Sequence, residues 1–404
     1  MKYKISLQTL KYFFIILPFI DIKFSNLTVL NTNRVLSILR LLILCIYFLK
    51  NKNLKIKLNA FIVLMFLYYL SYLIPCIIYG NLTFKIFYLW SKEVIFNIGI
   101  IFILQQLMEK NYIRTLKLLY NVLLFCIVIH NFFAFFSEIE VLGIRTRYTD
   151  YFLPSLILFM LLYSLKIEKL NLKNTIFLLT SMYFIIWQWI STCLVVIFLL
   201  IFFYITYRWK ILRKMYNSII NYNFFISSVF VLNIGIVFFR IQDFFKYIIV
   251  DILHEDLTLN NRTIIWDKVF ERMGDHNIFL GAGIQNDGSK DVEMAVYNEY
   301  GYNILPTRQA HNQLLSVLFF NGILGVICYV GIVYIVGRKI KLLRNKEIKN
   351  LLIIGITFIC ITMITELSAD GIMFFIFMLC AYKSPLLNKL RRKNEKSKFN
   401  CASI

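Results

Sequence analysis

Long apolar stretches recur along this chain, and they constrain its fold more than any other feature. A stretch of about 18 residues or more is long enough, as a helix, to cross a hydrocarbon core about 30 Å thick. Inside lipid the backbone must satisfy its own hydrogen bonds, so such runs are helical rather than open strands. About twelve candidate spans are legible, near 11–30, 35–49, 58–79, 86–108, 116–136, 151–166, 174–189, 191–207, 223–239, 312–337, 350–366 and 370–383. The pair covering 174–207 reads as two spans, or as one long bent segment broken at QWIST (188–192). Of the 404 residues, 59% are hydrophobic and 16% charged, against about 25% charged in soluble domains. The expectation is an all-α polytopic membrane protein. The opening MKYKISLQTLKYFFIILPFI starts basic, but no small-residue cleavage site follows it, so it reads as the first span.

The formal net charge of +22 invites a nucleic-acid reading, which the charge pattern argues against. The basic residues stand in short runs between apolar segments, as in cytoplasmic loops. With both termini inside, the inside receives KNKNLKIK (50–57), EKNYIRTLK (109–117), KIEKLNLK (166–173), RWKILRK (208–214) and RKIKLLRNKEIK (338–349). These segments and the termini hold roughly 30 of the 44 Lys and Arg residues. That bias predicts a cytoplasmic-membrane protein with cytoplasmic termini. The 8 cysteines are scattered without a CxxC pair, and most fall in apolar segments. They imply neither a metal site nor a disulfide framework.

One connection differs from the rest. Residues 241–310 separate two spans and carry eleven acids against six bases, half of the 22 carboxylates of the chain. Loops this long carry function or structure of their own. The expected division is therefore a membrane region 1–240, an extracytoplasmic loop subdomain 241–310 with short helices, membrane helices within 311–384, and a basic cytoplasmic tail 385–404. Within the loop, NRTIIWDKVFERM (261–273) has the period of an amphipathic helix, and HNIFLGAGIQNDG (276–288) reads as a glycine-containing turn.

Candidate chemistry gathers on that side. Arg145 and Arg147 lie in a short outer loop, where the positive-inside rule disfavours arginine. Arg262 precedes the amphipathic helix, and Arg272 lies near its end. The planar donor fork of arginine suits phosphate oxygens, although Arg272 and Arg308 have acids nearby to pair with. His311 and Asn312 close the loop at the start of the next apolar run, where a histidine either caps a helix or acts as base or donor near neutral pH. Ionisable residues within spans (Arg40, Lys92, Glu93, His130), with Glu366 and Asp370 near the last outer turn, are further candidates.

The succession Arg262-(x)3-Trp266, FLGAG (279–283), AHNQLL and NGILG (310–325) resembles the superfamily of O-antigen ligases and Wzy-type polysaccharide polymerases. That superfamily has a late extracytoplasmic loop with an Arg-x-x-x-Trp helix, a glycine turn, and His-Asn opening the next membrane helix. RTRYTDYFLPSLI (145–157) is similar to its earlier arginine motif, and WISTCLVV (189–196) stands where its Ser-Arg motif falls. The chain departs at Asn277, where proline is usual, at Asp150 and Tyr151, where an asparagine is often found, and at Ser191-Thr192, which lacks the arginine.

The resemblance implies a GT-C-like membrane glycosyltransferase that needs no metal or other cofactor. Its donor would be an oligosaccharide on undecaprenyl diphosphate. Arg262 and His311 would be catalytic; Arg145, Arg147, Arg272, Asn312, Trp266 and Tyr300 would hold the diphosphate and glycan, and Tyr297 and Tyr302 offer further sugar-stacking rings. Membrane lipid, a chain-length regulator and a flippase would be partners, and nucleic acid would not. The first expectation is polymerisation of repeat units into O-antigen, capsular or exopolysaccharide; the second is a ligase passing glycan to lipid A core or another acceptor. A flippase or transporter is the reading of another class, but no internal repeat supports it.

Overall fold

The computed structural model describes residues 7–19, 32–51, 58–137, 145–188, 190–252, 256–259, 262–284, 294–297, 303–307, 310–365 and 371–388. The helices are α1 (Leu7–Ile16), α2 (Thr32–Lys50), α3 (Ala60–Ile78), α4 (Phe84–Ser137), α5 (Arg145–Ser164), α6 (Leu172–Trp187) and α7 (Ser191–Thr206). They continue as α8 (Lys210–Ile219), α9 (Tyr222–Phe239), α10 (Arg262–Met273), α11 (Gln313–Ile340), α12 (Lys346–Thr365) and α13 (Ile372–Tyr382). The fold is that of a polytopic helical membrane protein. The long connection adds one small antiparallel hairpin, β1 (Met294–Tyr297) with β2 (Asn303–Thr307), which a purely helical expectation had not included.

Helix is found in every apolar segment of the sequence, but the count of membrane-crossing helices differs from twelve. Among the described residues, five helices (α3, α4, α9, α11 and α12) are long and apolar enough to cross, or six if the bent pair α7–α8 is one span. Two features lower the number. The segments 86–108 and 116–136 share α4, whose 54 residues make about 80 Å of helix, more than twice a bilayer core. This helix is broken at Asn111 (φ −157°, ψ 96°), whose side chain accepts from Arg114 N at 3.0 Å and so caps the second half. In addition, α6 and α13 have 16 and 11 residues, short of the roughly 20 that a span requires. At 174–207 the structure has two helices, α6 and α7.

α13 is buried along its whole length, as a helix apolar on all sides must be when it sits inside a bundle. α11 packs most extensively on α3, and α12 packs against α5, α7, α9 and α11. The expected connection RWKILRK contains the helix α8, in which no residue is buried.

The pairing of α3 with α11 explains the glycines of FLGAG and NGILG. α11 is interrupted at Gly322 (φ 62°, ψ −167°). A break there would leave backbone groups unpaired, at a high cost in lipid. The turn 278–284 fills the break. Ala282 N donates to Phe319 O at 2.7 Å and Gly283 N to Phe320 O at 2.9 Å, while Ile323 N donates to Ile278 O at 3.0 Å. The approach has no room for side chains. A Cβ on Gly322 would lie 2.3 Å from Phe279 O, and one on Gly281 2.5 Å from Gly322 N. Beside the break, Asn321 Nδ2 donates to Ser71 Oγ at 2.8 Å and to Tyr68 O at 3.2 Å on α3. The far end of the turn reaches Cys76, whose Sγ accepts from Ile284 N at 3.2 Å. Asn277 N donates to the Tyr79 hydroxyl at 3.1 Å, a bond that proline at this position could not make.

Candidate functional site

The segment Ala310–Asn312, just before α11, is where α9, α10, α11 and α12 meet. His311 has left-handed backbone (φ 46°), uncommon outside glycine although histidine adopts it more readily than most residues. Its neighbours on both sides are fixed. Ala310 is buried, and its carbonyl accepts from Trp266 Nε1 of α10 at 2.9 Å. Asn312 caps α11, its Oδ1 accepting from Leu315 N at 2.9 Å. The Asn312 amide nitrogen donates to Ile364 O of α12 at 2.9 Å and to Asn233 Oδ1 of α9 at 3.2 Å. The backbone on either side of His311 is thereby tied to α9, α10 and α12.

Arg262 is the first residue of α10, one turn before Trp266. Burial, and then the positive charge of Arg262, hold the His311 imidazole at a pKa of about 4. At neutral pH the ring is therefore uncharged and able to accept a proton. The structure thus brings the two arms of the sequence motif close enough for the Arg262 charge to act on the His311 ring.

Trp266 and Asn312 are brought to the same place in supporting positions. Trp266 is fully buried, so its ring packs inside the protein and leaves no face for a sugar. The Asn312 side chain is spent on the cap, α9 and α12. Arg272 is exposed near the other end of α10, about 15 Å along the helix from Arg262. Arg145 and Arg147 open α5, but their side chains, like those of Ser191 and Tyr297, lie outside what is described. Tyr300, Tyr302, Arg308, Glu366 and Asp370 lie outside the described residues altogether.

The intramembrane candidates have structural surroundings. Arg40 Nε donates to Pro18 O at 2.6 Å, and the Lys92 ammonium lies 6.0 Å from the centre of the Tyr88 ring. His130 is buried between the rings of Tyr148 and Phe184, at 5.3 and 4.9 Å. Glu93 has interaction partners of its own.

Two residues of the site escaped the sequence reading. Arg240 ends α9 in left-handed backbone (φ 50°). It donates to Thr263 O at 2.9 Å, pairs with Asp267, and lies 5.5 Å over the Trp266 ring. This arginine clamps α9 to α10. Its signal was a lone cation directly after an apolar span. Gln313 follows the cap residue and is fully buried, yet among the described residues nothing bonds to its Oε1 or Nε2. Its signal was an amide in the first turn of a membrane helix.

Among known families, the model described as O-Antigen ligase matches residues 151–330, from α5 through the long connection into α11. No curated protein and no solved structure matches the chain. The matched stretch contains Arg262, Trp266 and His311, which come together at the head of α11, and the glycine turn that fills the break at Gly322. Residues 151–330 are thus similar to the O-antigen ligase family, in line with the resemblance carried by Arg262, Trp266, the glycine turn and His311.

Proposed function

We propose that this protein is a GT-C-like glycosyltransferase that polymerises undecaprenyl-diphosphate-linked oligosaccharide repeat units at the outer face of the cytoplasmic membrane. The observation that carries the reading is the neutral His311 imidazole held beside the Arg262 cation. In the reaction, a hydroxyl oxygen of the acceptor sugar forms a bond to the anomeric carbon of the donor. The bond from that carbon to the diphosphate oxygen breaks, and the electron pair leaves with the diphosphate. His311 takes the hydroxyl proton, and Arg262 offsets the charge growing on the leaving oxygens. No metal is required for this division of labour. Trp266 and Asn312 act as supports, by fixing the backbone on either side of His311. Arg145, Arg147, Arg272 and Tyr300 serve the diphosphate and the glycan beyond the reacting bond.

The second reading is a ligase transferring finished glycan to lipid A core or another acceptor, and the family match is compatible with either. Nothing in the family match supports a flippase. A chain-length regulator and a flippase are the partners a polymerase would work with. Expression in a polymerase-null strain, with the glycan resolved on a gel, tests the reading. The wild type should restore laddered glycan, and Arg262→Ala and His311→Ala should leave single capped units. Restoration of capping in a ligase-null strain alone would establish the ligase. Failure of the wild type in both strains would overturn both readings.

A further inference from the structure

The polypeptide turns by 118° between α7 and α8, so α8 lies across the bundle rather than along it. Hydrogen bonds fix that angle. The Tyr216 hydroxyl pairs with Thr206 Oγ1 at 2.9 Å, Tyr207 Oη donates to Asn217 Oδ1 at 2.8 Å, and Asn350 Nδ2 of α12 donates to the same oxygen at 2.8 Å. The remaining surface of α8 is divided. Ile211, Met215 and Ile219 recur at helical spacing on one side and are 84%, 43% and 54% exposed. Arg213 and Lys210 project from the other side and Lys214 from its flank, all exposed. Trp209, at the bend, is also exposed. A helix that buries none of its residues gains nothing by presenting three large aliphatic side chains to water. A helix with one apolar and one cationic side fits the boundary between acyl chains and headgroups.

The position fits as well. α9 separates α8 from Arg240 by a helix of 18 residues, about 27 Å, close to one bilayer core. α8 is thus at the opposite end of the bundle from His311. α11 ends at that end with Arg338 and Lys339, and α12 begins there with Lys346. The charge around α8 is therefore positive, and the complementary surface is an anionic one.

We propose that α8 is an interfacial helix that binds anionic phospholipid. Ile211, Met215 and Ile219 insert among the acyl chains, and Lys210, Arg213 and Lys214 meet the headgroup phosphates. Positively charged side chains beside an anionic leaflet gain in a salt-dependent way. The inference is independent of the reaction at the other end of the molecule.

The test uses the full-length protein in nanodiscs of phosphatidylcholine with or without phosphatidylglycerol. A fluorophore is attached at Ile211→Cys or Arg213→Cys, and the labelling of the native cysteines is subtracted. Lipid-borne nitroxide should quench the probe at 211 at least twofold more than the probe at 213, and aqueous iodide should do the reverse. Adding phosphatidylglycerol should deepen the probe at 211 at low salt, and high salt should cancel the gain. Lys210→Gln/Arg213→Gln/Lys214→Gln should lose the phosphatidylglycerol response, whereas Lys210→Arg/Arg213→Lys/Lys214→Arg should keep it. Iodide quenching at 211 equal to that at 213 would overturn the proposal and leave the apolar side free for a protein partner. A response unchanged in the glutamine variant would overturn the anionic-lipid assignment.

Discussion

The imidazole of His311 is buried within reach of the Arg262 charge, and burial first, with that charge second, keeps the ring neutral down to a pH of about 4. The relationship has consequences for rate and for stability. In the free enzyme, activity per unit of donor should reach its plateau well below pH 6. A bound diphosphate cancels the field of Arg262 and adds negative charge of its own, which raises the affinity of the imidazole for a proton. The acid limb of kcat should therefore lie at higher pH than the acid limb of kcat/KM. Rate profiles with reconstituted protein check this, and coincident limbs would detach Arg262 from the donor.

The sign for stability follows from the same shift. The folded-state pKa of about 4 is below the ordinary value of 6.5, so between these two values the unfolded chain binds more protons. Stability tied to His311 is complete above about pH 6.5 and is lost as the pH falls toward 4. His311→Asn should flatten the fall in thermal midpoint across that window without lowering the midpoint at pH 8 by more than a few degrees. A wild-type midpoint that does not change between pH 7 and 4.5 would contradict the shift.

The junction at Gly322 makes a second prediction. Gly322→Ala and Gly281→Ala each place a methyl group where backbone already lies, at 2.3 and 2.5 Å, and both positions have positive φ. Each should cost more than about 3 kcal/mol, visible as loss of monodisperse protein in detergent. Gly371→Ala is the control: φ is −82°, and the nearest atom to an added Cβ is 4.0 Å away. It should change stability by less than about 1 kcal/mol. Equal behaviour of the three variants would mean that the turn does not fill the helix break.

Much of this architecture was legible because apolar length and lipid leave helix as the remaining choice. The convergence of Arg262, Trp266 and His311 was legible only through motif resemblance, since composition and spacing do not say which helix ends meet. Trp266 illustrates the limit. Its amphipathic character in sequence suits sugar stacking and interior packing equally, and only the bond to Ala310 O decides for packing. Gly322 shows another limit. A glycine within a membrane helix is ordinary, and nothing local says that a distant turn supplies the missing hydrogen bonds. α8 stayed hidden because a positive-inside count treats every basic run as a connection, although its apolar positions recur at helical spacing.

The clamp of Arg240 on α10 separates support from chemistry. Arg240→Lys keeps a charge near Asp267 but loses the planar contact with Trp266 and the fork that also reaches Thr263 O. The thermal midpoint should fall modestly, by the equivalent of about 1–2 kcal/mol for a charged hydrogen bond and a cation–π contact. Activity should fall further, because a displaced Trp266 releases Ala310 and with it the backbone of His311. Trp266→Phe should reproduce the larger loss, since it removes the Nε1 donor and leaves the buried Ala310 carbonyl unpaired. A double variant then decides the route. If Arg240 acts through Trp266, combining the two changes should cost little more activity than Trp266→Phe alone. Multiplicative losses would instead assign Arg240 a separate role toward the substrate.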